Sequence, residues 1–471
     1  MKNSKVGIII GAGPAGLSAA ETLSKSTRTF MVLEATNRIG GISATIKHKD
    51  FYFDLGVHRF FTKNREIDRY VADLLGSDRV LVDRSSAILL NGKYFDYPLK
   101  PMNAIFGLGP LTAVSIISNY ILERLKFNRR PPISLEDWVT RQFGKTLYRL
   151  FFKTYTEKAW GIDCNKISSE WAMQRIKGLS LRTAIVDAFW GKREKDASSL
   201  VKHFYYPKKG IGMISERLAE RIQTPNHLIF ESPVTELFHN GTQITSVAYS
   251  GRHGRQQIES DFVISSMPIT ELITSLRPSP PDEIIEAARW LKYRSIIFVA
   301  LMFDMPSITN YTWIYVHDPR IRLGRFHEPK NCSIEMAPRD QSCLVLEHFC
   351  NEGDAIWNAS DEELYEKTTQ DFTQTNISPN AHTKIFDYRV VRVTKAYPLY
   401  EVGFSRYLLK IRDYLRRFKN LQLVGRYGTY KYNNLDHSLE TGIKGAQNIL
   451  GAHHDTFMVN VEPEYHEEMR S

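Results

Sequence analysis

The sequence predicts an α/β fold in which a discontinuous Rossmann-like domain carries a helical insertion and a mixed or antiparallel β-sheet domain. Three observations predict it. The chain opens on a strand, a glycine turn, a helix and a second strand, in that order. Apolar residues recur at helical spacing over much of 101–195, and at strand spacing over much of 200–275 and 285–400. The chain closes on a short apolar strand, a Gly-Arg pair and a helix. Residues 1–75, 200–275 and 418–452 then form the Rossmann-like domain, 100–199 the helical domain, and 76–99 with 285–400 the β-rich domain. Residues 453–471 read as a frayed tail.

The opening run is Val6-Gly7-Ile8-Ile9-Ile10, followed by Gly11-Ala12-Gly13-Pro14-Ala15-Gly16. Leu17, Ala20 and Leu23 then mark a helix, and Thr29–Leu33 a second strand ending at Glu34. Gly11 permits the tight turn, Gly13 lets backbone amides approach a pyrophosphate, and Gly16 lets helix and strand pack closely. Pro14 and Ala15 open a helix whose amino terminus offers N–H groups and partial positive charge to phosphates. Glu34 can accept from ribose hydroxyls and would repel a 2′-phosphate, which disfavours NADP. These residues predict a dinucleotide site without separating FAD from NAD.

Further along, Ile67, Val71, Leu74 and Leu75 mark a helix, and Ala87–Leu90 and Tyr94–Tyr97 short strands. Residues 101–122 carry no charge over about the length of a membrane span, but Gly107, Gly109, Pro110 and several polar residues argue against one. From Leu111, the positions Val114, Ile117, Ile121, Leu122 and Leu125 recur at helical spacing. They predict a half-buried helix facing the core, with a helix resting on a membrane surface as the other reading. Trp313 and Tyr315 share one strand face, where packing inside a sheet is the default. The chain ends on the strand Leu421–Val424 and a helix with Leu439, Ile443, Ala446, Ile449 and Leu450 on one side.

Composition narrows the classes. Apolar residues at 42% and charged residues at 24% exclude a disordered, collagenous or coiled-coil chain. Sixty-two Lys and Arg against 52 Asp and Glu give +10, favouring anionic partners. The basic residues are scattered, which disfavours nucleic acid. Cys164, Cys332, Cys343 and Cys350 show no metal-ligand or disulfide spacing, and a reducing, cytoplasmic setting is expected.

Further stretches carry a resemblance. Glu34-Ala35-Thr36-Asn37-Arg38-Ile39-Gly40-Gly41 resembles the acid-then-Arg-Gly-Gly signature of the flavin-dependent amine oxidase and protoporphyrinogen oxidase superfamily. Phe53–His58 looks like that superfamily's flavin-covering loop. Tyr155–Gly161 (YTEKAWG) and Gly425–Tyr432 (GRYGTYKY) are similar to segments of UDP-galactopyranose mutases, as are Asn433–Ser438, Tyr293–Ser295 and Arg325–Lys330.

The resemblance implies FAD rather than NAD. It places Gly11, Gly13, Pro14, Ala15, Gly16, Glu34, Arg38, Gly40, Gly41, His58, Val234, Gly425, Asp436 and Ser438 around the cofactor, and implies no metal. It further implies a small-molecule substrate, a nucleotide diphosphate sugar whose ring is contracted on reduced flavin without net redox change. Arg325, Arg426 and, more loosely, Arg182 would bind the diphosphate, because Arg forks grip such oxygens in bidentate fashion. His58 would lie against the flavin. Tyr155 would stack a uracil and Trp160 would wall the sugar site. Tyr430 and Tyr432 alternate on what reads as an extended stretch, so both would face the pocket. The scaffold also leaves open an FAD-dependent oxidoreductase taking hydride from an amine, a porphyrinogen or an isoprenoid.

Overall fold

The computed structural model describes residues 5–97, 107–126, 130–176, 203–222 and 227–461. These form a mixed α/β structure on two main sheets, the predicted class. The first sheet has a parallel core in the order His227–Ile229, Phe30–Leu33, Val6–Ile10, Gly254–Ser265 and Leu421–Leu423. Strands from the start, the middle and the end of the chain therefore share one sheet. Continuous apolar runs suit parallel strands covered on both faces. Ile9 points to the helices Pro14–Ser24 and Leu435–Ile449 and packs with Leu17, Leu23 and Leu439. Its neighbours Ile8 and Ile10 point the other way, into a cluster with Leu272, Ile411 and Tyr430. The long strand Gly254–Ser265 leaves this core at its start and pairs antiparallel with Ile244–Gly251.

The second sheet runs Ile385–Leu399, Lys292–Phe303, Ser342–Cys350, Arg325–His327, Trp313–Val316, Ser86–Leu90 and Lys93–Asp96. Alternation again sorts its side chains. Ile297, Val299 and Leu301 pack beneath helix Asp361–Thr375, whereas Ile296, Phe298 and Ala300 meet Phe51, Phe53 and Leu55.

Two expectations are corrected. The apolar stripe of helix Pro110–Arg124 does not face the core. Ala113 and Ile116 are buried, while Leu111, Val114, Ile121, Leu122 and Leu125 are exposed. Gly144 sets this orientation: a Cβ there would lie 2.8 Å from the Tyr120 nitrogen, so the neighbouring chain packs closely on the opposite side of the helix. The start of the tail is docked rather than frayed. Thr456 is buried and its Oγ1 donates to the Leu423 carbonyl, Lys431 Nζ donates to the Val459 carbonyl at 3.0 Å, and Asn460 Nδ2 to the Tyr432 carbonyl at 3.3 Å. Among the described residues, no helix is long and apolar enough to cross a membrane.

Candidate active site

A cavity of about 500 Å³ begins where the first strand turns into the first helix. Gly11 has φ +96°, and a Cβ there would lie 2.3 Å from Ser266 Oγ, so only glycine fits this turn. Gly13 caps the helix with no side-chain bond, and a Cβ added to it meets nothing within 4 Å. The space in front of Gly13 is the cavity, and the first-turn N–H groups behind it have no intrahelical acceptor. Glu34 closes this end. Its Oε2 accepts from the Ala12 N–H at 2.7 Å, and its Oε1 from the Thr36 N–H at 2.9 Å and hydroxyl at 2.7 Å. Pro14, Ala15, Gly41, Val234, Gly425 and Ser438 also line the cavity. Gly16 and Gly40 stand behind the wall: a Cβ on Gly16 would meet the Gly11 carbonyl at 1.9 Å, and the Gly40 N–H donates to the Ala12 carbonyl at 2.8 Å. Arg38 is half-buried beside Glu34 and off the wall.

The cavity continues past Gly56 and His58 to Trp313, Tyr315, Arg325, Tyr397, Arg426 and Tyr432. Arg325 and Glu347 are directly opposite on adjacent strands, which brings their side chains together. Arg325 Nε donates to both Glu347 oxygens at 3.0 Å, and Nη2 donates to Oε2 at 2.6 Å. Arg426 donates from Nε and Nη2 to the Asn433 carbonyl and from Nη1 to the Ala396 carbonyl. Its guanidinium lies 5.4 and 5.0 Å from the ring centres of Tyr397 and Tyr432, which stack on each other at 5.5 Å and 10°. Arg426 thus organises this aromatic wall as well as charging it. Trp313 is flanked by Arg59 at 5.5 Å and Arg84 at 5.1 Å, so its face is cation-rich too.

His58 is held neutral. Burial first, then the charges of Arg426 and Arg325, push its imidazole down to about 3. The sign for stability follows. Between pH 6.5 and about 3 the unfolded chain takes up a proton at His58 and the folded chain does not. Acidification through this window therefore destabilises the wild type relative to a His58→Asn variant. Paired urea titrations should register about 1.4 kcal/mol per pH unit below 6.5. Parallel pH profiles for the two proteins would refute a neutral His58.

Several expected site residues lie elsewhere. Tyr430 is not on an extended stretch: Gly425–Gly428 is helical and Tyr430 has φ +50°. That turn drives its ring into the core, fully buried, where its hydroxyl donates to the carbonyls of Lys292 at 2.6 Å and Leu399 at 2.9 Å. Tyr432 alone of the pair reaches the cavity. Tyr155 is off the wall: its ring meets Tyr315 edge-on at 5.5 Å and stacks on His317 at 4.7 Å and 10°. Trp160 packs edge-on behind Tyr397 and Tyr432, at 6.2 Å from each. Asp436 is buried off the wall in the first turn of the last helix, beside Thr62, and burial pushes its carboxyl up to about 7. Arg182 lies outside the described residues. The structure adds Trp313, Tyr315, Tyr397, Asn433 and Arg59 to the wall, and Glu347 behind it.

Whether these residues suit FAD is tested by their unmet bonding. His58 Nδ1, Trp313 Nε1 and Asn433 Nδ2 are buried polar atoms without a hydrogen-bond partner in the protein. Leaving such an atom unsatisfied costs about 1–3 kcal/mol. All three belong to wall residues, beyond a glycine turn and helix terminus shaped for a pyrophosphate. The set fits an elongated dinucleotide with a polar ring at the His58 end.

Residues 14–450 match the family described as flavin containing amine oxidoreductase. The chain belongs to that family. It is a flavoenzyme, and FAD is its cofactor. It is 22% identical to the "probable UDP-galactopyranose mutase" of Klebsiella pneumoniae over 469 residues, covering 96% of each chain. It is 30% identical over 310 residues to the corticosteroid-binding protein of Candida albicans, covering 60% of this chain but only 55% of that one. Its fold is similar to that of a reduced UDP-galactopyranose mutase, with a TM-score of 0.85, 21% identity and 98% of each chain covered.

Proposed function

We propose that this flavoenzyme isomerises a nucleotide diphosphate sugar between pyranose and furanose forms with its flavin reduced. The observation that carries the reading is the sign of the cleft. Arg59, Arg325 and Arg426 line its wall; Arg325 is paired with Glu347 behind the wall, and Arg426 is bound to carbonyls, which leave its charge uncompensated. The carboxylates on that wall are engaged, Glu34 by the Ala12 and Thr36 donors and Glu271 by Lys395. An ammonium substrate would meet like charge here, whereas a glycosyl pyrophosphate meets cations. Tyr315, Tyr397, Tyr432 and Trp313 offer flat apolar faces for a base and a sugar ring. The full-length similarity to the Klebsiella protein supports the same substrate class.

Reduced FAD, when bound, would supply an electron-rich nucleophile and end the cycle still reduced, so the overall reaction would be redox-neutral. The chain's own residues bind and orient. With Nε and Nη2 committed to Glu347, Arg325 keeps Nη1 for a phosphate oxygen. Neutral His58 would add no charge beside a bound flavin, and its Nδ1, without a hydrogen-bond partner in the protein, would be available to the ring.

Dithionite-reduced enzyme incubated with UDP-galactose is expected to yield the furanose isomer without consuming oxygen. Arg325→Lys keeps a cation for Glu347 but loses the fork. It should weaken UDP-galactose binding at least about tenfold, the loss of one charge-assisted bond, with flavin content unchanged. Unchanged affinity would remove Arg325 from the diphosphate site. Peroxide formation in air with an organic donor, and no furanose, would move the assignment to an oxidoreductase, the class the family description names.

A further inference from the structure

We propose that helix Pro110–Arg124 docks this enzyme on the surface of an anionic lipid bilayer. At 3.6 residues per turn, Leu111, Val114, Ile121, Leu122 and Leu125 fall in one arc of roughly 100°, with Ser118 as the polar residue inside it. These side chains are large and open to solvent: Leu111 is 86% exposed, Val114 65%, Leu122 60% and Leu125 59%. An apolar stripe of this length on an exposed helix marks a contact surface. The opposite face is spoken for by Ala113 and Ile116, which are buried, and by the close approach of Gly144 to Tyr120.

Charge selects the occupant. Arg124 and Lys126 are exposed at the carboxyl end of the helix. Lys145 is exposed beside Thr146, whose Oγ1 lies 2.9 Å from Ser115 Oγ on the edge of the stripe. The helix carries one carboxylate, Glu123, which is buried and ion-paired with Lys126. An apolar stripe bordered by cations is the pattern of a helix lying at the headgroup boundary. A second copy of this chain suits it poorly, because the cations beside the stripe would face a helix whose one carboxylate, Glu123, is buried and already paired with Lys126. At 15 residues the helix is too short to span, since a span needs about 20. Contact is therefore with the surface.

The test sediments FAD-loaded enzyme with vesicles of phosphatidylglycerol and phosphatidylcholine in equal parts, and with phosphatidylcholine alone. Binding is expected on the mixed vesicles and to weaken as salt is raised. The triple variant Leu111→Gln/Val114→Gln/Leu122→Gln should bind the mixed vesicles at least about tenfold more weakly, with its flavin content unchanged. Arg124→Gln/Lys145→Gln should bind the mixed vesicles more weakly at low salt with a shallower salt dependence, an independent check should the triple variant fold poorly. Wild-type enzyme left in the supernatant at low salt would overturn the proposal, as would a triple variant binding as well as wild type. A dimer that the triple variant splits, with no vesicle binding by either protein, would assign the stripe to a second copy instead.

Discussion

Gly16→Val is expected to yield protein without flavin. A Cβ at position 16 would lie 1.9 Å from the Gly11 carbonyl oxygen, well inside contact distance. Relief would require the helix Pro14–Ser24 to retreat from the strand Val6–Ile10, and the helix is blocked on its far side. Gly442 of the last helix approaches so closely that its own Cβ would meet the Ala15 carbonyl at 2.1 Å, and Ser18 Oγ donates to the Leu439 carbonyl at 3.0 Å. The first-turn N–H groups that would face a bound pyrophosphate are carried on this helix, so a shift of about an ångström would remove the best of their hydrogen-bond geometry. The measurement is flavin absorbance per polypeptide after gel filtration. Gly13→Ala is the discriminating control. Its Cβ meets no protein atom within 4 Å, and its φ of −77° suits alanine. It should fold with wild-type stability and still bind FAD more weakly, because the cofactor alone occupies that space. If Gly16→Val kept stoichiometric flavin, the packing argument for this turn would fail.

What was legible in the sequence was local. Gly11, Gly13, Gly16 and Glu34 sit within one strand–turn–helix–strand unit, so their spacing alone places them at one end of the cavity. His58, Arg325, Arg426 and Tyr432 were reached through short motifs, and the structure brings all four to one wall. What was not legible depended on which side an element turns. Alternation puts Trp313 and Tyr315 on one strand face but cannot say whether that face meets another layer or a cavity. Tyr397 and Glu347 reach the site on strands that pair across the second sheet, and no local pattern announces such pairing. Tyr430 was misread because period-2 reasoning assumes extended backbone, and a left-handed residue reverses the side chain. The helix at Pro110–Arg124 was misread for a related reason. An apolar stripe is normally a buried face, and here the helix is packed through Ala113, Ile116 and the close approach of Gly144 on its other side.

Removing the Glu347 carboxylate should be the most destabilising single change near the site. Glu347 and Arg325 are buried together, with Glu347 fully inaccessible. Burial pushes the Glu347 carboxyl up while Arg325 pulls it down, and the guanidinium is stabilised as a cation by the same pair. Desolvating two charges is costly, so the intact pair is close to neutral for stability. Breaking it is not. Glu347→Ala leaves a guanidinium without a counter-ion beside Arg426, His58 and His327, and the expected loss is about 3–5 kcal/mol in urea unfolding. Neither imidazole can replace the lost anion, since histidine is neutral or cationic; His58 and His327, both pushed down to about 3 first by burial and then by neighbouring charges, stay neutral. The double variant Arg325→Met/Glu347→Leu removes both charges and should recover most of that stability. It should not recover UDP-galactose binding, because the cleft then lacks its deepest cation. If Arg325 served packing alone, stability and binding would return together in the double variant. If it serves the substrate, they separate.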